Sequence, residues 1–265
     1  MYDFEYVKPS ALQDAVRTLS EDDAAKAVAG GMTFIPVLKQ RFAQPSVIVD
    51  LSGLGMSWIR RDDNALVIGA MTPHGVVAAS PIVEEAIPAL AWLAGHIGDR
   101  QVRYRGTIGG SLANNDPSAC YPSAALALGA TITTDRRDIT ADDYFLGMFT
   151  TALEEGEVIT RIRFPLPERA AYVKFPNPAS RYAMVGVFVA QTAAGVRVAV
   201  TGAGQDGVFR HRAFEQALDL SFNSSSLDGI ETPADTMNDD IHAGAEYRAH
   251  LVGEIAKRAV DLANG

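Results

Sequence analysis

Two glycine pairs place the strongest constraint on how this chain can fold. Gly30-Gly31 and Gly109-Gly110 each stand before a predicted turn or helix start, and a hydroxyl residue follows each pair, Thr33 or Ser111. Glycine allows positive φ, so a pair can turn consecutive N–H groups toward one point, where a helix amino terminus adds partial positive charge. Such a loop binds phosphate oxygens without Lys or Arg. The pairs indicate either a diphosphate ligand or two tight turns, the usual role of glycine.

Hydrophobic periodicity predicts alternating helices and strands over the first part of the chain. The predicted helices cover residues 10–20, with a capping box at Ser10 and Gln13, then 32–42, a short helix begun by Thr72-Pro73, 81–95 and 118–128. The predicted strands cover residues 26–29, 46–51, a hairpin of 57–61 and 65–70, and 131–134. Residues 99–106 are predicted to form an irregular basic loop. Its arginines 100, 103 and 105 are either a solvated face or a loop beside an anionic cofactor or an acidic partner.

A proline-rich stretch at residues 163–167 predicts a boundary between two domains, 1–168 and 169–265. Beyond it, residues 183–192 and 196–201 are predicted to pair as a hairpin. Residues 221–240 are predicted to be a polar surface loop, and 241–264 a helix. The expected class is therefore α+β, with a larger α/β lobe followed by a smaller α+β lobe.

Charge and cysteine content exclude several functions. With 32 acidic against 23 basic residues, the net charge of −9 offers no basic field for nucleic acid. The single cysteine, Cys120, cannot hold an iron–sulfur cluster, which needs about four thiolates, so any cluster must lie on another chain. The amino terminus lacks a basic, apolar signal, and no apolar run reaches the roughly 20 residues of a membrane span. A cytoplasmic protein without a membrane span is predicted.

Hydrolytic and metal-dependent chemistry finds no support in the motifs. No nucleophile elbow or P-loop occurs. The five histidines, 74, 96, 211, 242 and 250, are scattered without a chelating spacing, and are expected to be surface or capping residues. Cys120 lies just inside a predicted helix, the kind of position at which a thiol can become reactive. Its alanine-rich surroundings favour a small packing residue instead.

A family resemblance emerges from the two glycine loops. Residues 29–36 (AGGMTFIP) and 101–117 (QVRYRGTIGGSLANNDP) resemble the two FAD-pyrophosphate loops of the flavoprotein, or medium, subunit of the molybdenum hydroxylases. That family includes aerobic carbon monoxide dehydrogenase and xanthine dehydrogenase. The similarity continues through residues 156–159, 172–175, 180–182 and 240–251, and so covers nearly the whole chain.

The resemblance implies a vanillyl-alcohol-oxidase-like (PCMH-type) FAD-binding domain followed by the smaller carboxy-terminal domain of the carbon monoxide dehydrogenase flavoproteins. It implies a set of FAD-contacting residues: Ala29, Gly30, Gly31, Met32, Thr33, Phe34, Ile35, Pro36, Thr107, Gly109, Gly110, Ser111, Asn115, Asp116, Cys120, Ile159, Thr160, Lys174 and Tyr182. Lys174 would lie near the isoalloxazine and Tyr182 would shield its face. No catalytic and no metal-binding residue is implied in this chain.

Three positions depart from the family pattern. Cys120 stands where many relatives have an Asp that contacts the FAD ribose. Tyr104 replaces a frequent Asn, and Met32 replaces a more usual polar residue.

The implied function is that of an electron-transfer subunit. Substrate would be hydroxylated at a molybdenum cofactor on a large subunit, and electrons would pass through 2Fe-2S clusters on a small subunit to FAD here. An external acceptor would then take them, within a heterohexamer built as a dimer of heterotrimers. The alternatives are a self-contained FAD oxidoreductase and a flavin-binding assembly module, or nucleotide-diphosphate sensor, without turnover.

Overall fold

The computed structural model describes residues 1–265 and contains both helices and strands throughout. The strands are β1 (Glu5–Val7), β2 (Lys26–Val28), β3 (Val47–Asp50), β4 (Ile59–Asp62), β5 (Ala65–Gly69), β6 (Thr131–Thr134), β7 (Asp138–Thr140), β8 (Phe145–Gly147), β9 (Thr150–Thr151), β10 (Ile159–Pro165), β11 (Arg169–Pro176), β12 (Ala183–Thr192), β13 (Gly195–Thr201) and β14 (Phe209–Arg210). The helices are α1 (Leu12–Glu21), α2 (Phe34–Lys39), α3 (His74–Ala79), α4 (Pro81–Ala86), α5 (Pro88–Gly95), α6 (Arg100–Arg105), α7 (Ile108–Asn114), α8 (Tyr121–Ala127), α9 (Ala141–Tyr144), α10 (Arg212–Leu220) and α11 (Ala245–Asn264). No helix is both long and apolar enough to cross a membrane.

The first layer is a small parallel sheet in the order β1-β3-β2, with helix α1 packed against it. The apolar face predicted for α1 is real, since Ala15 and Leu19 are buried with Val49 of β3. The predicted capping box does not form, because the helix begins at Leu12 and its cap position, Ala11, offers no side-chain acceptor. Glycine loop 1, residues 29–33, connects β2 to α2.

The second layer is a five-stranded sheet in the order β4-β5-β10-β6-β7. The predicted β4–β5 hairpin is confirmed, with Asp62 opposite Ala65 at its turn. Every residue of β5 is buried. The central strand, β10, was not predicted. It pairs antiparallel with both neighbours and carries a register shift between Ile159 and Arg161.

The basic segment, residues 99–106, is a short helix rather than the predicted irregular loop. Asp99 caps α6, and its Oδ1 accepts the Val102 N–H at 2.8 Å. Arg100 and Arg105 remain exposed on this helix, whereas the Arg103 guanidinium donates to the carbonyls of residues 97 and 98. The Asp99 cap therefore stabilises a helix in a segment whose sequence pattern predicts a loop.

The carboxy-terminal part is a four-stranded antiparallel sheet, β11-β12-β13-β14, covered by α10 and α11. The β12–β13 hairpin is as predicted, and the predicted final helix begins four residues late, at Ala245. The polar tract 221–240 contains two short 3-10 turns, Ser224–Leu227 and Ala234–Thr236. The buried Arg248 fixes the end of that tract, donating to Asp240 at 2.7 Å and to the Met184 carbonyl at 2.8 Å.

The two sheets share one core. Tyr172 and Phe188, from β11 and β12, belong to the same buried cluster as α5 and α8. Helix α8 thus lies between the five-stranded and four-stranded sheets. The predicted boundary at residue 168 falls in the connection between β10, which ends at Pro165, and β11, which begins at Arg169.

Candidate functional site

A cavity of about 650 Å³ lies where the first layer, the second layer and the β11–β12 hairpin meet. Fifteen of the nineteen predicted residues line it: Ala29, Gly30, Gly31, Met32, Thr33, Phe34, Thr107, Gly109, Gly110, Ser111, Asp116, Cys120, Ile159, Lys174 and Tyr182. Folding therefore brings together segments that are far apart in the sequence.

Glycine loop 1 presents a row of backbone donors to this cavity. None of the amide N–H groups of residues 29–34 donates to a protein acceptor, because β2 ends at Val28 and the first hydrogen bond of the following turn comes from Ile35, to the Gly31 carbonyl. Gly31 has φ of +72°, which turns the chain between the strand and α2. Residues 29–34 are half-buried or exposed, so these amides are open to water or to a ligand. Six in succession along a cavity wall form a site for an anion.

The second glycine pair, Gly109-Gly110, does not present free amides to the cavity. The amides of Ile108, Gly109 and Ser111 donate to protein carbonyls, and the Gly110 amide donates to Thr107 Oγ1 at 3.1 Å. A Cβ at Gly109 would lie 2.6 Å from the Cβ of Ala70. These glycines therefore let α7 pack tightly at the end of β5, and their amides are already paired within the protein.

The two loops brace each other through α6. A Cβ at Gly30 would overlap the carbonyl oxygen of Arg105 and would come within 2.8 Å of the Gly106 Cα. Glycine is thus required at position 30 for backbone-to-backbone packing. The backbones of the two loops therefore touch at Gly30 and Gly106.

One end of the cavity contains Lys174, Cys120, Asp116 and Tyr182. The Lys174 Nζ donates to the carbonyls of His96 at 2.6 Å and Arg181 at 3.0 Å, and lies 3.7 Å from the Cys120 Sγ.

Two groups at this end have raised pKa values. Burial raises the pKa of Asp116, partly offset by the Ser118 N–H that its carboxylate accepts. Burial likewise raises the pKa of Tyr182, and the neighbouring Asp116 and Cys120 act in the same direction. Both shifts favour the neutral form of the group.

Four predicted residues lie outside the cavity lining. Ile35 and Pro36 are exposed on α2. The Thr160 hydroxyl donates to the carbonyl of Thr133. Asn115 is buried with φ of +42°, and its amide donates to the carbonyls of Gly147 at 2.8 Å and Thr150 at 2.9 Å. Asn115 thus fixes the β8–β9 hairpin, so the prediction that it lines the cofactor site is not supported by its position.

His74 lines the cavity and was missed. It is 5% exposed, and burial lowers its pKa to about 4, with the Arg103 charge acting in the same direction. The expectation of a surface or capping role is wrong for His74, whereas His211 does cap α10, accepting the Phe214 N–H. The sequence around His74 gives no signal that distinguishes a histidine in a cavity wall from one that caps a helix.

Comparison with known proteins identifies the relatives of this chain. Residues 2–167 match the family model described as the FAD binding domain in molybdopterin dehydrogenase. The nicotine 6-hydroxylase medium subunit of Paenarthrobacter nicotinovorans is 34% identical, over 96% of this chain and 95% of the relative. The carbon monoxide dehydrogenase medium chain of Hydrogenophaga pseudoflava is 32% identical, over 98% and 96%.

The fold comparison agrees with the sequence comparison. A solved structure of reconstituted CO dehydrogenase from Oligotropha carboxidovorans superimposes with a TM-score of 0.91 at 31% identity, covering 99% of this chain and 98% of that one. The predicted fold class, an FAD-binding domain followed by a carboxy-terminal domain of the carbon monoxide dehydrogenase flavoprotein type, is confirmed.

Proposed function

This chain belongs to the FAD-binding flavoproteins of the molybdopterin dehydrogenases, and we propose that it is the subunit through which electrons leave a molybdenum hydroxylase complex. It accepts electrons from a 2Fe-2S subunit after substrate is hydroxylated at a molybdenum centre. It passes them to an external acceptor.

The row of free amides in glycine loop 1 carries this proposal. FAD contains a diphosphate, and six N–H groups without protein acceptors line the cavity at residues 29–34. Backbone amides bind phosphate oxygens without a basic side chain. The cavity volume of about 650 Å³ falls in the range of roughly 300–1,000 Å³ that is usual for ligand sites. The residues present therefore fit the cofactor.

The protein's part is to position and shield the cofactor. Bound FAD supplies the one- and two-electron transfer chemistry. Glycine loop 1 would hold the diphosphate, and Tyr182, which also lines the cavity, would shield the flavin. Lys174 has only backbone carbonyls and a thiol as partners, so its positive charge is free to favour negative charge that the cofactor acquires on reduction.

The cluster and the molybdenum centre belong to partner chains. One cysteine cannot ligate a 2Fe-2S cluster, so the electron donor is a separate small subunit. The chain aligns over nearly the full length of relatives that are themselves named medium subunits. A large molybdenum-cofactor subunit completes the heterotrimer, and two heterotrimers form the complex.

Purification of the native complex tests the proposal. We expect a flavin absorption spectrum, one FAD per copy of this chain, and two further chains that carry molybdenum, iron and sulfide. Anaerobic addition of substrate should bleach the flavin band only when all three chains are present. A colourless chain that purifies alone and binds no FAD would refute the proposal.

A further inference from the structure

His74 lies in the cavity wall without a hydrogen-bond partner. The residue is 5% exposed, and its Nδ1 is buried with neither donor nor acceptor within reach. The buried His211 differs, because its Nδ1 accepts the Phe214 N–H and its Nε2 bonds to Thr232 Oγ1 at 3.1 Å. A buried imidazole without a hydrogen-bond partner costs stability, and a ligand can offset that cost only at the nitrogen that faces the cavity.

The imidazole of His74 is held in place by its surroundings. Its backbone N–H donates to the Gly106 carbonyl at 2.9 Å, and its ring packs against Tyr121 with centroids 5.3 Å apart. A Cβ at Gly106 would lie 2.6 Å from Nε2, so this nitrogen lies over the start of the second glycine loop. Nδ1 is sealed in the protein, which leaves Nε2 as the nitrogen able to reach a ligand in the cavity.

His74 lies between glycine loop 1, whose Gly30 packs on Gly106, and the end of the cavity that contains Cys120, the residue before Tyr121. Beyond the loop, the wall beside His74 suits the flavin. Ile97, Gly98 and Val102 form this wall, and Lys174 is tied to the adjacent His96 carbonyl. This wall is apolar and offers no row of free amides. The low pKa of His74 keeps its imidazole neutral at pH 7, and a neutral ring pairs with uncharged carbonyl and ring-nitrogen atoms.

We propose that Nε2 of His74 forms a hydrogen bond with the flavin half of bound FAD and thereby helps to position it. This inference rests on the proposed function, since it takes FAD as the ligand. It adds a contact outside both glycine loops.

Binding measurements on the full chain test this contact. The FAD-free protein is titrated with FAD and with ADP, which shares only the diphosphate and adenosine half. We expect His74→Met to weaken FAD binding on the order of tenfold and to leave ADP binding within about twofold. His74→Gln, whose amide nitrogen can replace Nε2, should recover part of the loss.

An independent measurement covers the case in which a variant misfolds. Wild-type protein labelled with ¹⁵N-histidine should show an imidazole Nε2 signal, assigned to His74, that shifts with FAD and stays in place with ADP. Equal FAD affinity in His74→Met, or an imidazole signal that FAD does not move, would overturn the contact while FAD binding itself stands. Absence of FAD binding in the wild-type chain would instead overturn the proposed function.

Discussion

The ammonium of Lys174 lies 3.7 Å from the thiol sulfur of Cys120, and both residues line the cavity. The two residues are far apart in the sequence, and the hydroxyl of Tyr172 is buried beside the Cys120 thiol. The Lys174 ammonium and the Tyr172 hydroxyl therefore both lie beside the Cys120 thiol, which is only a weak hydrogen-bond acceptor. A carboxylate would be the more usual partner for both.

Cys120→Asp should accordingly be tolerated and should keep or tighten FAD. A carboxylate at position 120 gains an ion pair with Lys174 and a hydrogen bond from the Tyr172 hydroxyl. The measurement is a flavin-release titration in denaturant, with Cys120→Ser as the matched control that adds a hydroxyl without charge. A marked loss of flavin in Cys120→Asp but not in Cys120→Ser would contradict the prediction that residue 120 contacts FAD.

Gly30→Ala should abolish FAD binding. Its Cβ would overlap the backbone carbonyl oxygen of Arg105, which cannot rotate away, so the two loops must separate. Forced overpacking of this kind costs about 1–3 kcal/mol. The flavin content of the purified chain and its urea midpoint measure the two effects.

Gly253→Ala is the matched control, because a Cβ there meets no atom within 4 Å and the residue lies inside α11. It should keep full FAD and gain up to about 1 kcal/mol of stability. Stoichiometric FAD in Gly30→Ala would mean that the loops tolerate the wider spacing.

Asn115→Ala should destabilise the chain by about 2–3 kcal/mol. The substitution removes both side-chain hydrogen bonds to the β8–β9 hairpin. It also places alanine at φ of +42°, a left-handed conformation that asparagine tolerates better than alanine does. Asn115→Gly loses the same bonds without the backbone strain and should fall between the wild type and the alanine variant. Urea unfolding followed by fluorescence orders the three proteins. A glycine variant as stable as the wild type would show that backbone conformation, not the hydrogen bonds, selects Asn.

The FAD-free chain should lose stability as the pH falls from 7 to 4. Burial lowers the pKa of His74 to about 4, below its ordinary value of 6.5, so over this window the unfolded chain takes up a proton that the folded chain does not. Stability therefore falls with falling pH, by up to about 3 kcal/mol from this residue. Unfolding free energies at several pH values should decline less steeply in His74→Met than in the wild type. Parallel curves would indicate that His74 titrates normally.

Local signals predicted the parts of the fold that local interactions determine. The β4–β5 hairpin follows from its turn residues, and the buried face of α1 from helical spacing. Loop 1 was recognisable from Gly30-Gly31. The structure added which amides stay free, because that depends on where β2 ends and α2 begins.

Other elements depend on contacts that a linear pattern does not reveal. The register shift at Ile159 breaks the alternation of β10, and its terminal proline resembles a domain boundary. Helix α6 has only six residues, too few for periodicity, and depends on the Asp99 cap. The orientations of Asn115 and His74 are set by distant segments, the β8–β9 hairpin and Gly106.

The cofactor site can form only after β10 has been translated. Strands β5 and β6, although earlier in the chain, meet only through β10, which lies between them. The Thr160 carbonyl accepts the Ala70 N–H at 3.0 Å, and the Ala70 carbonyl accepts the Gly109 N–H at 2.9 Å, so the second glycine loop is anchored through this strand. A nascent chain that ends before residue 159 already contains both glycine loops but cannot hold them at their final spacing. We therefore expect ribosome-bound intermediates to acquire FAD only after residue 165 has left the exit tunnel.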